Sequence, residues 1–202
     1  MTTRSLVVIS AGLSQPSSTR LLADQLSAAA VSAAGVPLDV RVIELRDLAH
    51  DITNNLLTGF PPAALREAVD AVTAADALIA VTPIFTASYS GLFKSFVDIL
   101  DKDALAGKPV LIAATAGTAR HSLALEHALR PLFAYLRAVV IPTAVFAASD
   151  DWGSDSAEGA LSARITRAAG ELADELSRRA PVTVGDPFAL QVTFEDLLDV
   201  RD

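Results

Sequence analysis

The stretch that decides the fold is Leu6-Val7-Val8-Ile9-Ser10-Ala11-Gly12-Leu13-Ser14-Gln15-Pro16-Ser17-Ser18-Thr19-Arg20. An uninterrupted aliphatic run ends in a loop of small and hydroxyl-bearing residues. The loop then opens a stripe in which Leu21, Leu22, Gln25, Leu26, Ala29 and Ala33 share one helical face. A strand without polar alternation is one covered on both faces, as in a parallel sheet with helices above and below. Residues 77–82, 109–114 and 138–146 are equally aliphatic, whereas residues 38–44 alternate. Between and after these runs lie further stripes: Tyr89, Leu92, Phe93, Phe96, Val97 and Leu100; Leu125, Leu129, Leu132, Phe133 and Leu136; Leu161, Ile165, Ala168, Leu172 and Leu176. The succession βαβαβαβαβα predicts an α/β fold, a doubly wound five-stranded parallel sheet of order 2-1-3-4-5 with helices on both faces.

The chain has 202 residues, 51% of them hydrophobic, which suits one domain with a sizeable core. Residues 1–180 are expected to form that domain. Residues 181–202 form a tail that packs back or contacts a neighbouring subunit. A net charge of −8 argues against nucleic-acid or anionic-membrane binding, so any anionic ligand must be captured locally. With no cysteine, disulfides, thiolate metal sites and cysteine nucleophiles are excluded, and redox chemistry must come from a bound cofactor. No apolar run reaches the roughly 18 residues of a membrane span. Leu6–Ile9 is too short for a signal peptide, so a cytoplasmic location is expected.

In a doubly wound sheet the ligand lies beyond the carboxyl ends of the strands, where the strand order reverses, here between strands one and three. The loop Ser10–Arg20 offers hydroxyls and a helix N-terminus, both suited to phosphate, with Arg20 as one cationic fork. Neither G-x-G-x-x-G nor G-x-x-x-x-G-K-[ST] occurs, so the dinucleotide fingerprint and the P-loop are missing. Ser10 and Thr82 stand where a phospho-acceptor domain would carry acids. After strand three, Pro83 stiffens a turn of small residues suited to a flat aromatic ligand. Thr115-Ala116-Gly117-Thr118 follows strand four at the same sheet edge.

The stretches Thr82-Pro83-Ile84-Phe85-Thr86-Ala87-Ser88-Tyr89-Ser90-Gly91-Leu92-Phe93-Lys94, Gly107-Lys108-Pro109 and Thr115-Ala116-Gly117-Thr118 resemble the NADPH-dependent FMN reductase family. That family's motif runs T-P-x-Y-x-x-S-Y-S-G-x-x-K, followed by G-K-x-V and a T-G-G-T-type loop. The likeness is nearest to the reductase partners of luciferase-like two-component monooxygenases of the alkanesulfonate and methanesulfonate type. It implies a flavodoxin-like fold, FMN as cofactor or substrate, hydride transfer from NADPH or NADH to flavin N5, a luciferase-like monooxygenase as partner, and a homodimer or homotetramer. It further implies that Ser10, Ser14, Ser17, Ser18, Thr19 and Arg20 surround the FMN phosphate. Pro83, Ile84, Phe85 and Thr86 would line the ring, Ser88 and Tyr89 close the turn, and Thr115, Ala116, Gly117 and Thr118 face the pyrimidine side. Phe85 stands where the family commonly has Tyr, and Ala116 where it has Gly.

Hydride transfer between stacked rings needs no side-chain acid, so no catalytic residue is assigned. Asp98, Asp101 and Asp103 read as capping or solvated groups, residues 150–155 as an exposed loop, and His50 as a surface residue in an irregular region. His121 opens the fourth helix beside the Gly117 loop. His127 lies with Ala124, Pro131 and Ala134 on a second stripe. Pro131 lacks a backbone donor, so the helix should kink or bulge near residue 127. In the family this position accompanies a π-bulge at a tetramer interface, and His127 is assigned to tuning flavin release. A flavin-bound quinone or azo reductase and a flavodoxin-like electron carrier remain alternatives. The sequence leaves NADPH against NADH open.

Overall fold

A computed structural model describes residues 2–152 and 155–182. Its sheet contains β1 (Arg4–Ser10), β2 (Leu38–Glu44), β3 (Ala77–Phe85), β4 (Ser88–Tyr89), β5 (Pro109–Ala116), β6 (Val139–Val140) and β7 (Val145–Ala148). The order is β2-β1-β3-β5-β6, with β7 also on β5 and β4 on β3. All pairings are parallel except the β3–β4 hairpin. Setting that hairpin aside and counting β6 and β7 as one interrupted strand, this is the expected 2-1-3-4-5 order. The run 138–146 does not form one strand: Pro142 cannot donate to a ladder, and residues 141–144 leave the sheet between the two short segments.

The helices are α1 (Ser18–Ala33), α2 (Ala49–Thr58), α3 (Ala63–Ala74), α4 (Gly91–Asp98), α5 (Arg130–Tyr135) and α6 (Asp155–Ser177). Pleating divides the sheet residues between two cores. Leu6, Val8, Ile79 and Val81 pack with Leu22 and Leu26 of α1 and Leu161, Ile165 and Leu172 of α6. Val7, Ile9, Leu78 and Ala80 pack on the other face with Leu65 of α3, Phe93 and Phe96 of α4, and Phe133 of α5. The edge strand β2 alternates half-buried and exposed positions from Leu38 to Val42, and Ile43 is buried.

Several details differ from the expectation. Two helices and a 3-10 turn (Leu45–Leu48) fill the connection between β2 and β3, where the expected succession has one helix; α3 buries the stripe Leu65, Ala68 and Val72. His50 is therefore helical, although exposed as expected. Tyr89 belongs to β4 rather than to the helix, because Ser90 caps α4 by accepting from Phe93 N at 3.1 Å. Residues 149–152 form a 3-10 turn rather than an exposed loop; Asp151 accepts from Ala148 N and binds Arg164, both at 2.8 Å. Residues 153 and 154 lie outside the described residues. Asp101 caps locally, accepting from Asp103 N, while Asp98 pairs with Lys94 and Asp103 with Arg137.

At the amino edge of the sheet, Asp76 accepts from Ser5 N and Val182 N at 2.8 Å each and pairs with Arg4 at 3.2 Å. Desolvation pushes this carboxyl upward, but the Ser5 and Val182 donors and the Arg4 charge hold it below its ordinary value. The Val182 amide is thus tied to Asp76 while its side chain stays exposed, and the rest of the expected tail, residues 183–202, lies outside the described residues.

Lys108 is also buried there, its ammonium donating to Val72 O and Thr73 O at the carboxyl end of α3. Burial lowers its pKa from 10.5 to about 8, against an opposing pull from Asp76. Between those values the unfolded chain holds the extra proton, so stability rises with pH across that window. Denaturation between pH 8 and pH 10 should show a rise of roughly 1–3 kcal/mol from this group, and Lys108→Met should abolish it.

Candidate functional site

The carboxyl edge of the sheet carries the crevice that the strand order requires. β1 leads into α1 on one face and β3 into α4 on the other, so their connections part beyond the strand ends. A cavity of about 340 Å3 lies there. One side is Gly12, Leu13, Ser14, Ser17, Ser18 and Thr19; the other is Pro83, Ile84 and Phe85. Thr115, Ala116, Gly117 and Ser149 complete it.

The hydroxyl side is built by helix capping. Ser17 is the N-cap of α1, its side chain accepting from Arg20 N at 3.2 Å, which leaves its proton for an outside acceptor. Ser14 donates to Pro16 O at 2.9 Å, shaping the loop before the cap. Gly12 is needed because a Cβ there would collide with the Ser17 hydroxyl and press on Thr19 Cβ at 3.1 Å. Free amides of the first helical turn face the same space.

The two halves of the crevice are joined by a buried hydroxyl pair. Thr19 Oγ1 and Thr115 Oγ1 lie 2.8 Å apart, each residue 2% exposed. Only one proton is used between them, so the other remains available to a ligand. Opposite Thr115 in the β3–β5 register stands Pro83, whose missing N–H ends the ladder and opens the strands into the crevice.

The apolar wall is the β3–β4 hairpin. Thr82 Oγ1 accepts from Ser90 N at 3.1 Å and donates to Pro83 O, clamping the hairpin base. Its two-residue turn holds Thr86 at φ 45 and Ala87 at φ 72. Such left-handed turns prefer Asn-Gly, so a Thr-Ala pair carries strain of order 1–3 kcal/mol per residue. The strained turn displays Phe85, 47% exposed, at the crevice mouth.

Of the expected residues, Ser14, Ser17, Ser18, Thr19, Pro83, Ile84, Phe85, Thr115, Ala116 and Gly117 are brought together. Thr86, Ser88, Tyr89 and Thr118 flank that lining without joining it. Ser10 is buried behind it, its hydroxyl without a partner among the described residues. Arg20 departs most. It turns outward, binding Asp24 at 2.8 Å and Glu44 at 2.6 Å, and Arg46 adds to the same network. Asp24 above all, then Glu44, raises the Arg20 pKa. Its fork is spent on carboxylates and is not presented to the crevice. Gly12, Leu13 and Ser149 were missed by sequence reasoning. The close approach demanded of Gly12 depends on the folded loop, and Ser149 was identifiable only as the residue after the last strand.

The fourth helix bulges where Pro131 predicts. Leu125–Leu129 form a π turn in which Arg130 N reaches Leu125 O, five residues back. His127 is exposed on that turn, and His121 ends the 3-10 turn Ala119–His121. Both border a neighbouring cavity, with Ala87, rather than the crevice.

The family described as NADPH-dependent FMN reductase matches residues 4–153. An FMN reductase (NADPH) of Pseudomonas aeruginosa is 40% identical over 147 residues, covering 73% of this chain and 78% of the relative. An oxidoreductase structure from Corynebacterium diphtheriae has a TM-score of 0.85 at 51% identity, covering 88% of this chain and 99% of that one. The structure of an NADH:FMN oxidoreductase (EMOB) has a TM-score of 0.72 at 36% identity, covering 82% and 88%.

The hydroxyl pair makes a direct test of how the crevice is held. Thr19→Val and Thr115→Val should each cost about 1–2 kcal/mol, because each leaves one buried hydroxyl unpaired. The double variant should cost less than the sum in a denaturation cycle.

Proposed function

The chain belongs to the NADPH-dependent FMN reductase family, and we propose that it oxidises NADPH or NADH and reduces FMN in the crevice beyond β1, β3 and β5. The observation that carries this reading is the pairing of a neutral hydroxyl-and-amide cradle with an apolar wall, joined through Thr19 and Thr115. The cradle fits a phosphate monoester: the Ser17 proton is free, Gly12 admits the hydroxyl, and the start of α1 contributes amides. The wall and the Thr115–Gly117 loop fit the isoalloxazine ring.

FMN held there would supply the two-electron acceptor for the hydride of the reduced nicotinamide, a solvent proton completing the reduced flavin. Everything asked of this chain is positional. Ser14, Ser17, Ser18 and Thr19 hold the phosphate end, Pro83 to Phe85 support one side of the ring, and Thr115 to Gly117 border its polar edge. Thr86, Ser88 and Tyr89 set the hairpin that presents Phe85. Among the described residues the crevice lining consists of glycine, hydroxyl-bearing and apolar residues; direct transfer between stacked rings asks for no side-chain acid.

Reduced FMN then passes to a separate luciferase-like monooxygenase. Supporting this are the wide mouth, exposed at Ser14, Ser18, Phe85 and Gly117, and a cradle that grips without a cationic side chain. Assembly into a homodimer or homotetramer is supported by large apolar side chains left in solvent: Leu57 at 82%, Phe60 at 80% and Tyr135 at 83% exposure. Light scattering should give the mass of a dimer or tetramer, and Leu57→Glu with Phe60→Glu should lower it.

Nucleotide oxidation by the purified chain should saturate with added FMN. Gly12→Ala should raise the KM for FMN about tenfold or more, because the displaced cap no longer meets the phosphate. Oxidation with quinones at full rate without added FMN would instead indicate a retained-flavin quinone reductase. Failure to oxidise either nucleotide with any flavin would indicate an electron carrier.

A further inference from the structure

The crevice leaves a second cavity unexplained. An open surface pocket of about 350 Å3 is bordered by Ala87 at the hairpin tip, Arg120 and His121 of the 3-10 turn, Ala124, and His127 on the π turn. The two cavities are bordered by neighbouring positions on the same two segments of chain. Phe85 lines the first and Ala87 the second; Gly117 lines the first and Arg120, three residues on, the second. Three residues of chain span at most about 10 Å, so a ligand leaving the crevice over this rim meets Arg120 at once.

The second cavity is bordered by a cationic side chain, Arg120, and by two imidazoles, of which His127 acts electrostatically on Glu126. Among the described residues no carboxylate pairs with Arg120, which is exposed. Glu126, the nearest acid in sequence, is held by Arg130 through contacts of 2.6 and 2.9 Å. Arg20, beside the cradle, is likewise spent on Asp24 and Glu44. In a chain of net charge −8, the nitrogen-bearing side chains bordering the second cavity, among the described residues, are therefore one guanidinium and two imidazoles. A guanidinium fork with flanking N–H donors matches the oxygens of a phosphate monoester.

NADH and NADPH differ only by such a group, on the adenosine ribose. The relatives do not decide between the two, since one is named for NADPH and another for NADH. We propose that Arg120 and His121, joined by His127, bind the ribose 2′-phosphate of NADPH and make this chain prefer NADPH to NADH. The assignment rests on the flavin reductase reading. It deepens that reading by naming the residues that choose the nucleotide.

Calorimetry with 2′,5′-ADP and 5′-ADP, on the full chain with FMN present, tests binding apart from turnover. The wild type should bind 2′,5′-ADP about tenfold or more tightly than 5′-ADP, and Arg120→Ala should remove that difference. Arg120→Lys, which keeps the charge and loses the fork, should fall between. In turnover, Arg120→Ala should lower kcat/KM for NADPH about tenfold with NADH and the KM for FMN unchanged. An unchanged thermal melt would confirm that this exposed, unpaired side chain is dispensable for folding. Equal binding of the two ADP probes by the wild type, or an equal loss with both nucleotides in Arg120→Ala, overturns the proposal. Absence of FMN-dependent oxidation of either nucleotide by the wild type overturns the reductase reading, and this proposal with it.

Discussion

Everything at the carboxyl edge follows from the position of β1, which pairs in parallel with β2 on one side and β3 on the other. Parallel neighbours need crossover connections, and right-handed crossovers leaving in opposite senses must cover opposite faces. α1 is therefore carried to the face it shares with α6, and α4 to the face it shares with α3 and α5. The space between their starting loops cannot be filled by either connection. It becomes the crevice, and the Thr19–Thr115 pair keeps its two sides in register.

Charge is distributed so that this crevice stays neutral. Arg20 and Arg46 lie close behind the cradle but are occupied by Asp24, Glu44 and Asp47. A phosphate held by hydroxyls and amides alone is bound without the strong attraction of a buried ion pair. Such a grip suits a flavin that must leave again after reduction. Arg120, without a carboxylate partner among the described residues, lies on a different surface from the hydroxyl-lined crevice, bordering the neighbouring pocket.

Strain is concentrated at the wall between those surfaces. Thr86 and Ala87 occupy left-handed backbone, held by the clamp from Thr82 to Ser90 below them. One side of this hairpin presents Phe85 to the crevice and its tip presents Ala87 to the second cavity. The π turn opposite arises from another local irregularity, the missing donor of Pro131. Two departures from regular backbone thus face each other across the cationic cavity.

By itself the sequence determined the layers, the strand order and the three loops of the crevice, because burial on both faces, helical periodicity and N-cap chemistry are local properties. Pro131 even located the π turn, since a missing donor acts on its own helix. Tertiary structure alone decided that Arg20, on α1, faces Glu44, 24 positions away at the end of β2. It also decided that Ser149 joins the crevice and that Ala87, Arg120, His121 and His127 border one space. Periodicity reports which face of an element is buried. Which side chains from distant elements meet depends on how the crossovers bring those elements together, and no local pattern encodes that distance.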